Sequence, residues 1–125
     1  MNFPDDLKYT DDHEWVRIEG NIATIGVTDH AASELGDVVY IDIEMDGEVS
    51  KGDTIGTIEA VKTVADMYSP ISGTIKEINT GLNDNPEVVN SDAYGEGWIV
   101  KIELSDENEL DELMNASTYK ESIGQ

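Results

Sequence analysis

Cysteine is absent from the 125 residues, which excludes disulfides, a thiolate nucleophile and any Cys-ligated zinc or iron–sulfur centre. Positive charge is scarce: 7 lysines and arginines stand against 28 acidic residues, a formal net charge of −21. Such a chain repels phosphates, so nucleic acid and anionic membrane surfaces are excluded as partners. No apolar run approaches a membrane span, and the opening Met1-Asn2-Phe3-Pro4-Asp5-Asp6 does not read as a signal peptide. Catalytic signatures are missing as well. There is no Gly-x-Ser-x-Gly elbow, no dinucleotide fingerprint and no Walker-type phosphate loop. The two histidines, His13 and His30, fall on different expected elements without metal-ligand spacing, so no metal site is expected. His13, beside Glu14, reads as a surface or strand-edge residue. Independent catalysis is not expected.

What is present is a globular composition, 38% hydrophobic and 28% charged, at a length suited to one domain over residues 1–125. The acidity has two readings. One is a well-solvated surface; the other is adaptation to high salt, where ions screen the self-repulsion of the chain. On either reading, partners with positive docking patches suit it best.

Breakers and alternation predict mostly short strands. His13 to Glu19 is extended, Glu19-Gly20-Asn21 turns, and Ile22 to Val27 returns. A short helix follows, with Thr28 as N-cap, Asp29 in its first turn and Gly36 at its end; Ala31, Ala32 and Leu35 share one side. Val38 to Ile43 reads as a strand with Val39, Ile41 and Ile43 on one face and Val38, Tyr40 and Asp42 on the other. Ile55 to Val61 and Val64 to Tyr68 form a hairpin, and Thr74 to Ile78 resumes after Ser69-Pro70-Ile71-Ser72-Gly73. Thr80 to Pro86 is a loop, and Trp98 to Leu104 is the last strand. In the C-terminal segment, about 106–123, Asp106 and Glu109 resemble a capping box, and Leu110, Leu113 and Met114 recur at helical spacing. The fold class is therefore mainly β, a sandwich or barrel with a few short helices.

One residue stands out. Lys62 is the only lysine or arginine between Lys51 and Lys76, and it falls at the tip of the central hairpin, about 54–78, in Ile58-Glu59-Ala60-Val61-Lys62-Thr63-Val64. A lysine there extends a four-carbon stem into solvent, where another enzyme can reach its amine. For a lone turn lysine, plain solubility is the simpler account; the small and β-branched neighbours argue otherwise.

The sequence resembles the glycine cleavage H-protein family, lipoyl carriers of the biotinyl/lipoyl-domain superfamily, almost from end to end. Tyr9 with His13-Glu14-Trp15-Val16 is similar to the family's N-terminal motif. Ile25-Gly26-Val27-Thr28-Asp29-His30-Ala31 and Leu35-Gly36-Asp37-Val38-Val39 match its next blocks. Glu59-Ala60-Val61-Lys62 resembles its lipoylation sequence, followed by Tyr68-Ser69-Pro70-Ile71-Ser72-Gly73. Pro86, Asn90, Tyr94, Gly95 and Gly97-Trp98 look like the long loop before the last strand. Departures are few. The family usually has proline where Ala93 stands and often where Glu44 stands; Ser and Ala are common in place of Ala60 and Thr63. Biotin carriers have methionines beside their lysine, whereas Val61 and Thr63 stand here.

The resemblance implies a flattened, hybrid barrel-sandwich and a non-catalytic carrier with lipoate covalently attached to Lys62 by a lipoate ligase or lipoyl transferase. It implies three further partners: a pyridoxal-phosphate glycine decarboxylase that loads an aminomethyl group, a tetrahydrofolate-dependent aminomethyltransferase that releases ammonia, and a dihydrolipoyl dehydrogenase. It also implies a cleft that shelters the loaded arm, with Glu14, Asp66 and Asp12 placed to line it. The carrier is expected to be monomeric when free, and cytoplasmic in a prokaryote or in the mitochondrial matrix of a eukaryote. Two other readings stay open: an H-like lipoate relay, and a lipoyl domain of a 2-oxoacid dehydrogenase. The latter typically has Asp where Val61 stands and lacks the C-terminal helices.

Overall fold

Residues 2–124 are described by a computed structural model of the chain. β1 (Lys8–Tyr9) lies on β2 (Glu14–Glu19), which turns through Gly20 at φ 64° into β3 (Ile22–Val27). Helix α1 (Asp29–Leu35) starts where expected: the Thr28 hydroxyl accepts from the Ala31 N–H, and Gly36 at φ 77° ends the helix. β4 (Val38–Ile43), β5 (Glu48–Val49), β6 (Thr54–Ala60), β7 (Val64–Tyr68) and β8 (Gly73–Ile78) follow. A 3-10 turn (Thr80–Asn83) and α2 (Val88–Ser91) occupy the expected loop and its continuation, and β9 (Val100–Leu104) begins two residues after Trp98. A second 3-10 segment (Glu107–Glu112) and α3 (Ala116–Ser122) complete the chain.

The strands make two sheets, one of six in the order β1-β2-β3-β9-β8-β5 and one of three in the order β4-β6-β7, with every pairing antiparallel. Alternation then decides the core. Val16, Ala23, Ile25, Val100 and Ile102 from the larger sheet meet Ile41, Ile55, Ile58 and Met67 from the smaller one, all buried in one continuous cluster. At roughly 1.5–3 kcal/mol for each fully buried aliphatic side chain, this interior is what holds the sheets together. The expected flattened barrel-sandwich with short helices is the observed architecture.

A second apolar cluster covers the outside of β1 and β2. Strand β2 is buried on both faces here: Val16 points into the main core, Trp15 away from it. Tyr9 and Tyr119 stack at 4.8 Å, Phe3 meets Tyr119 edge-on, and the Trp15 indole N–H donates to the Ala93 carbonyl at 2.9 Å. Gly26 opposite Trp15 leaves room for the ring, because a β-carbon there would sit 2.7 Å from Nε1.

Two expectations are overturned. On β4, Val38 and Ile41 are buried while Val39 and Tyr40 are exposed, so the expected assignment of faces fails at the strand's start. The cause is a bulge. Val38 pairs with Ala60 and Tyr40 with Glu59, leaving Val39 as an extra residue that shifts the alternation by one. At the C-terminus no capping box forms. Asp106 accepts from the Asn108 N–H, but Glu109 reaches away to the Ser72 N–H and hydroxyl at 2.6 and 2.8 Å. The segment stays a 3-10 turn, and Met114 leaves helical spacing to pair with Tyr9.

Candidate functional site

The β6–β7 hairpin closes one rung beyond the Glu59–Val64 pair, where the Ala60 N–H donates to the Thr63 carbonyl at 2.8 Å. Lys62 stands exposed at the tip. The tip is anchored from outside the hairpin, since the Val61 N–H donates to the Asp37 carbonyl at 2.9 Å. The Lys62 stem lies over Gly36: a β-carbon added there would be 3.1 Å from Cε and 3.7 Å from Nζ. Gly36 thus serves two needs, the positive φ that ends α1 and the bare backbone beneath the lysine.

That corner is fixed by Asn90 of α2. Its amide donates to the Gly36 carbonyl at 2.7 Å and, at the longer distance of 3.4 Å, to the Ala32 carbonyl; its oxygen accepts from the Val38 N–H at 3.0 Å.

Beside this corner, with Leu35 in its wall next to Gly36, a cleft of about 190 Å³ lies between α1, the start of β2 and the edge strand β7. Its floor is apolar, made by Val27, Leu35, Ile58 and Met67; Asp12, Glu34 and Asp66 stand exposed around it, and buried Glu14 completes the lining. The three acids singled out from sequence therefore share one cavity. They differ in environment: Asp12 and Asp66 are exposed, whereas Glu14, the first residue of β2, is 2% exposed. The Glu14 carboxyl accepts from the Tyr68 N–H at 2.9 Å and from the Thr10 hydroxyl at 3.3 Å. Burial outweighs those two bonds and, with a smaller push from Asp12, raises its pKa from 4.5 to about 8. An empty cleft at neutral pH thus holds a mostly protonated carboxyl that a cation would drive to ionise.

A scan against protein-family models matches the glycine cleavage H-protein family over residues 7–125. The glycine cleavage system H proteins of Staphylococcus haemolyticus and Staphylococcus saprophyticus are each 51% identical over 126 aligned positions, spanning all of both chains. The crystal structure of a glycine cleavage system H protein from Mycobacterium marinum superimposes with a TM-score of 0.88 at 36% identity, covering 98% of this chain and all of that one. The chain belongs to the glycine cleavage H-protein family. Members of the family are lipoate-bearing carriers of the glycine cleavage system, and the role of this chain is that of carrier.

Two features of this H protein escape a reading of its sequence. His13, which lines the cleft, and His30, 17 residues apart in sequence, stack obliquely with ring centres 4.9 Å apart. His13 adopts φ 65°, and its Nδ1 is 2.9 Å from the Tyr119 hydroxyl, itself 2.8 Å from the Thr28 hydroxyl. It is thus half-buried and tied to α3 rather than a free strand-edge residue. Burial first, then His30, lowers its pKa against the opposing pull of Asp12, Glu34 and Asp11. A neutral His13 sets no positive charge of its own against an amine in the cleft. No local signal reveals this pair, because α3 and the β3–α1 corner bring it together. Among the described residues no group of three His, Asp or Glu is placed to hold a metal ion, and no helix is long and apolar enough to cross a membrane.

Proposed function

We propose that Lys62 is the lipoyl attachment residue of this H protein and that the adjoining cleft shelters the loaded arm, with Glu14 as the group that holds its amine. The observation that carries this reading is a hairpin-tip lysine laid over Gly36, next to Leu35 of an apolar cleft that also holds a buried carboxyl with a raised pKa. The site fits the group: the bare Gly36 backbone admits the lysine stem, the floor suits an alkyl chain and dithiolane, and the acids suit a cationic amine. When bound, lipoate supplies a disulfide that reversibly accepts electrons and a one-carbon amine.

The chain's own residues then have these tasks. Lys62 would hold the lipoyl group as an amide on Nζ, its amine giving up a proton to solvent when it is acylated. The apolar floor excludes water from the cargo, which slows its loss of ammonia. Arrival of the ammonium drives the Glu14 proton to solvent, and the carboxylate then makes a charge-assisted hydrogen bond. Asp12 and Asp66 add negative potential at the rim. The partners we assign are a lipoate ligase or lipoyl transferase, a pyridoxal-phosphate glycine decarboxylase, a tetrahydrofolate-dependent aminomethyltransferase and dihydrolipoyl dehydrogenase. The unit is one domain over residues 1–125, monomeric when free, working in the cytoplasm of a prokaryote. Intact mass after treatment with lipoate ligase, lipoate and ATP tests the attachment: one lipoyl adduct on the wild-type chain and none on Lys62→Arg. An adduct on Lys62→Arg refutes it. Glycine–bicarbonate exchange with the decarboxylase separates this carrier from a lipoate relay, which would not support it.

A further inference from the structure

Among the described residues, four large hydrophobic side chains stand strongly exposed, Val39 at 50%, Tyr40 at 47%, Val61 at 74% and Val64 at 60%, and all four surround Lys62. Val61 precedes the lysine and Val64 follows it by two. Tyr40 pairs with Glu59 and Glu59 with Val64, so the three form one row across the outer face of the small sheet, one rung behind the tip. The β4 bulge adds Val39 to this face; regular alternation would have turned one of Val39 and Tyr40 inward. The molecule thus exposes apolar surface here on an edge strand, although such surface invites association.

We propose that Val39, Tyr40, Val61 and Val64 form the docking surface for the enzyme that acylates Lys62, and that this enzyme presents an apolar recess edged by arginine or lysine. The inference rests on Lys62 being the attachment residue. Reach selects this partner over the others. The lysine amine stands only a four-methylene stem from the backbone, with that stem laid over Gly36, so an enzyme reacting at Nζ must touch the tip. Enzymes acting at the far end of the finished arm need not. Charge selects the rim: exposed Asp37, Glu59 and Asp66 and half-buried Asp42 border or interrupt the patch, which matches a basic edge and opposes pairing with a second copy of a chain carrying −21.

The test compares acylation of the wild-type chain, Tyr40→Phe and the double variant Val39→Ser/Tyr40→Ser by purified lipoate ligase with lipoate and ATP. Both altered positions in the double variant are exposed, and a matching thermal midpoint verifies its fold. We expect the KM for the double variant to rise about tenfold or more with kcat little changed, and Tyr40→Phe to stay near wild type. A double variant acylated at the wild-type KM overturns the surface alone; a wild type that gains no lipoyl mass overturns the attachment and the surface with it. An equal loss when the fully acylated double variant is reduced by dihydrolipoyl dehydrogenase overturns it in favour of that partner. A wild-type dimer in sedimentation that the double variant abolishes does so in favour of self-association.

Discussion

Replacing Glu14 by glutamine should make this H protein more stable, and increasingly so as pH rises. In the unfolded chain the carboxyl loses its proton near its ordinary 4.5, whereas in the fold it keeps it to about 8. Between those values the folded state binds the extra proton, so the wild type loses stability as pH rises, and the loss levels off above 8. At about 1.4 kcal/mol per pH unit, the gap between 4.5 and about 8 amounts to roughly 5 kcal/mol. Glutamine carries no charge to desolvate. It can still accept from the Tyr68 N–H, but its amide faces a Thr10 oxygen that already accepts from the Asp12 and Glu14 N–H groups, so the bond from the Thr10 hydroxyl is lost, a cost that does not change with pH. The assay is urea unfolding of wild type and Glu14→Gln from about pH 5 to about pH 9, read as the difference between the two proteins. The many other acids titrate alike in both and cancel. A difference that grows toward several kcal/mol in favour of Gln supports a buried, protonated carboxyl. A flat difference, or one favouring the wild type at high pH, refutes it.

Asn90→Ala removes the bonds to Gly36, Val38 and Ala32 and should destabilise the fold by about 1–3 kcal/mol, with faster amide exchange at Val38 than at the core strands as the specific readout. Gly26→Ala drives a β-carbon against the Trp15 indole and should cost about 1–3 kcal/mol or more, measured by denaturant unfolding, with red-shifted tryptophan emission. The thermal midpoint should climb as KCl goes from about 0.01 M to about 1 M, where the Debye length falls from about 30 Å to about 3 Å. Among the described residues only Lys51 and Lys101 lie in lysine–carboxylate ion pairs, so most of the 28 acids repel one another unscreened. A midpoint that is flat across that range removes the high-salt reading of the composition.

The parts legible in the sequence are those governed by neighbours along the chain. The lysine hairpin is one, because two extended runs separated by a short turn fold back on each other, which puts Lys62 at the tip. The capped start of α1 at Thr28 is another. The faces of β4 are not legible there, because a bulge changes a period of two by one residue without leaving a compositional mark. The Asp106–Glu109 spacing fits a capping box, yet Glu109 finds stronger partners at Ser72, a contact 37 residues distant. In the site, Glu14, Asp66 and Asp12 came from family resemblance and share one cleft, but the burial that sets Glu14 apart from 27 other acids depends on Tyr68, Thr10 and the packed sheets around it. The His13–His30–Tyr119 contact has the same origin in tertiary packing.

The raised pKa of Glu14 also bears on how firmly the proposed cleft holds its cargo. A permanently ionised carboxylate in an apolar pocket would clasp an ammonium strongly and release it reluctantly. Here the carboxyl must first give up a proton, which at pH 7 costs about 1.4 kcal/mol for a group with a pKa of about 8. That cost reduces the net hold on the amine about tenfold relative to a carboxylate already charged. It also gives the hold a direction with pH, since ionisation becomes free above 8 and release of ammonia from the loaded wild type should slow as pH rises toward that value. Glu14→Gln, which cannot ionise, should release ammonia faster than wild type, and the gap between the two should widen with pH. An equal release rate in both at about pH 8.5 would leave shelter by the apolar floor as the sole restraint on the amine.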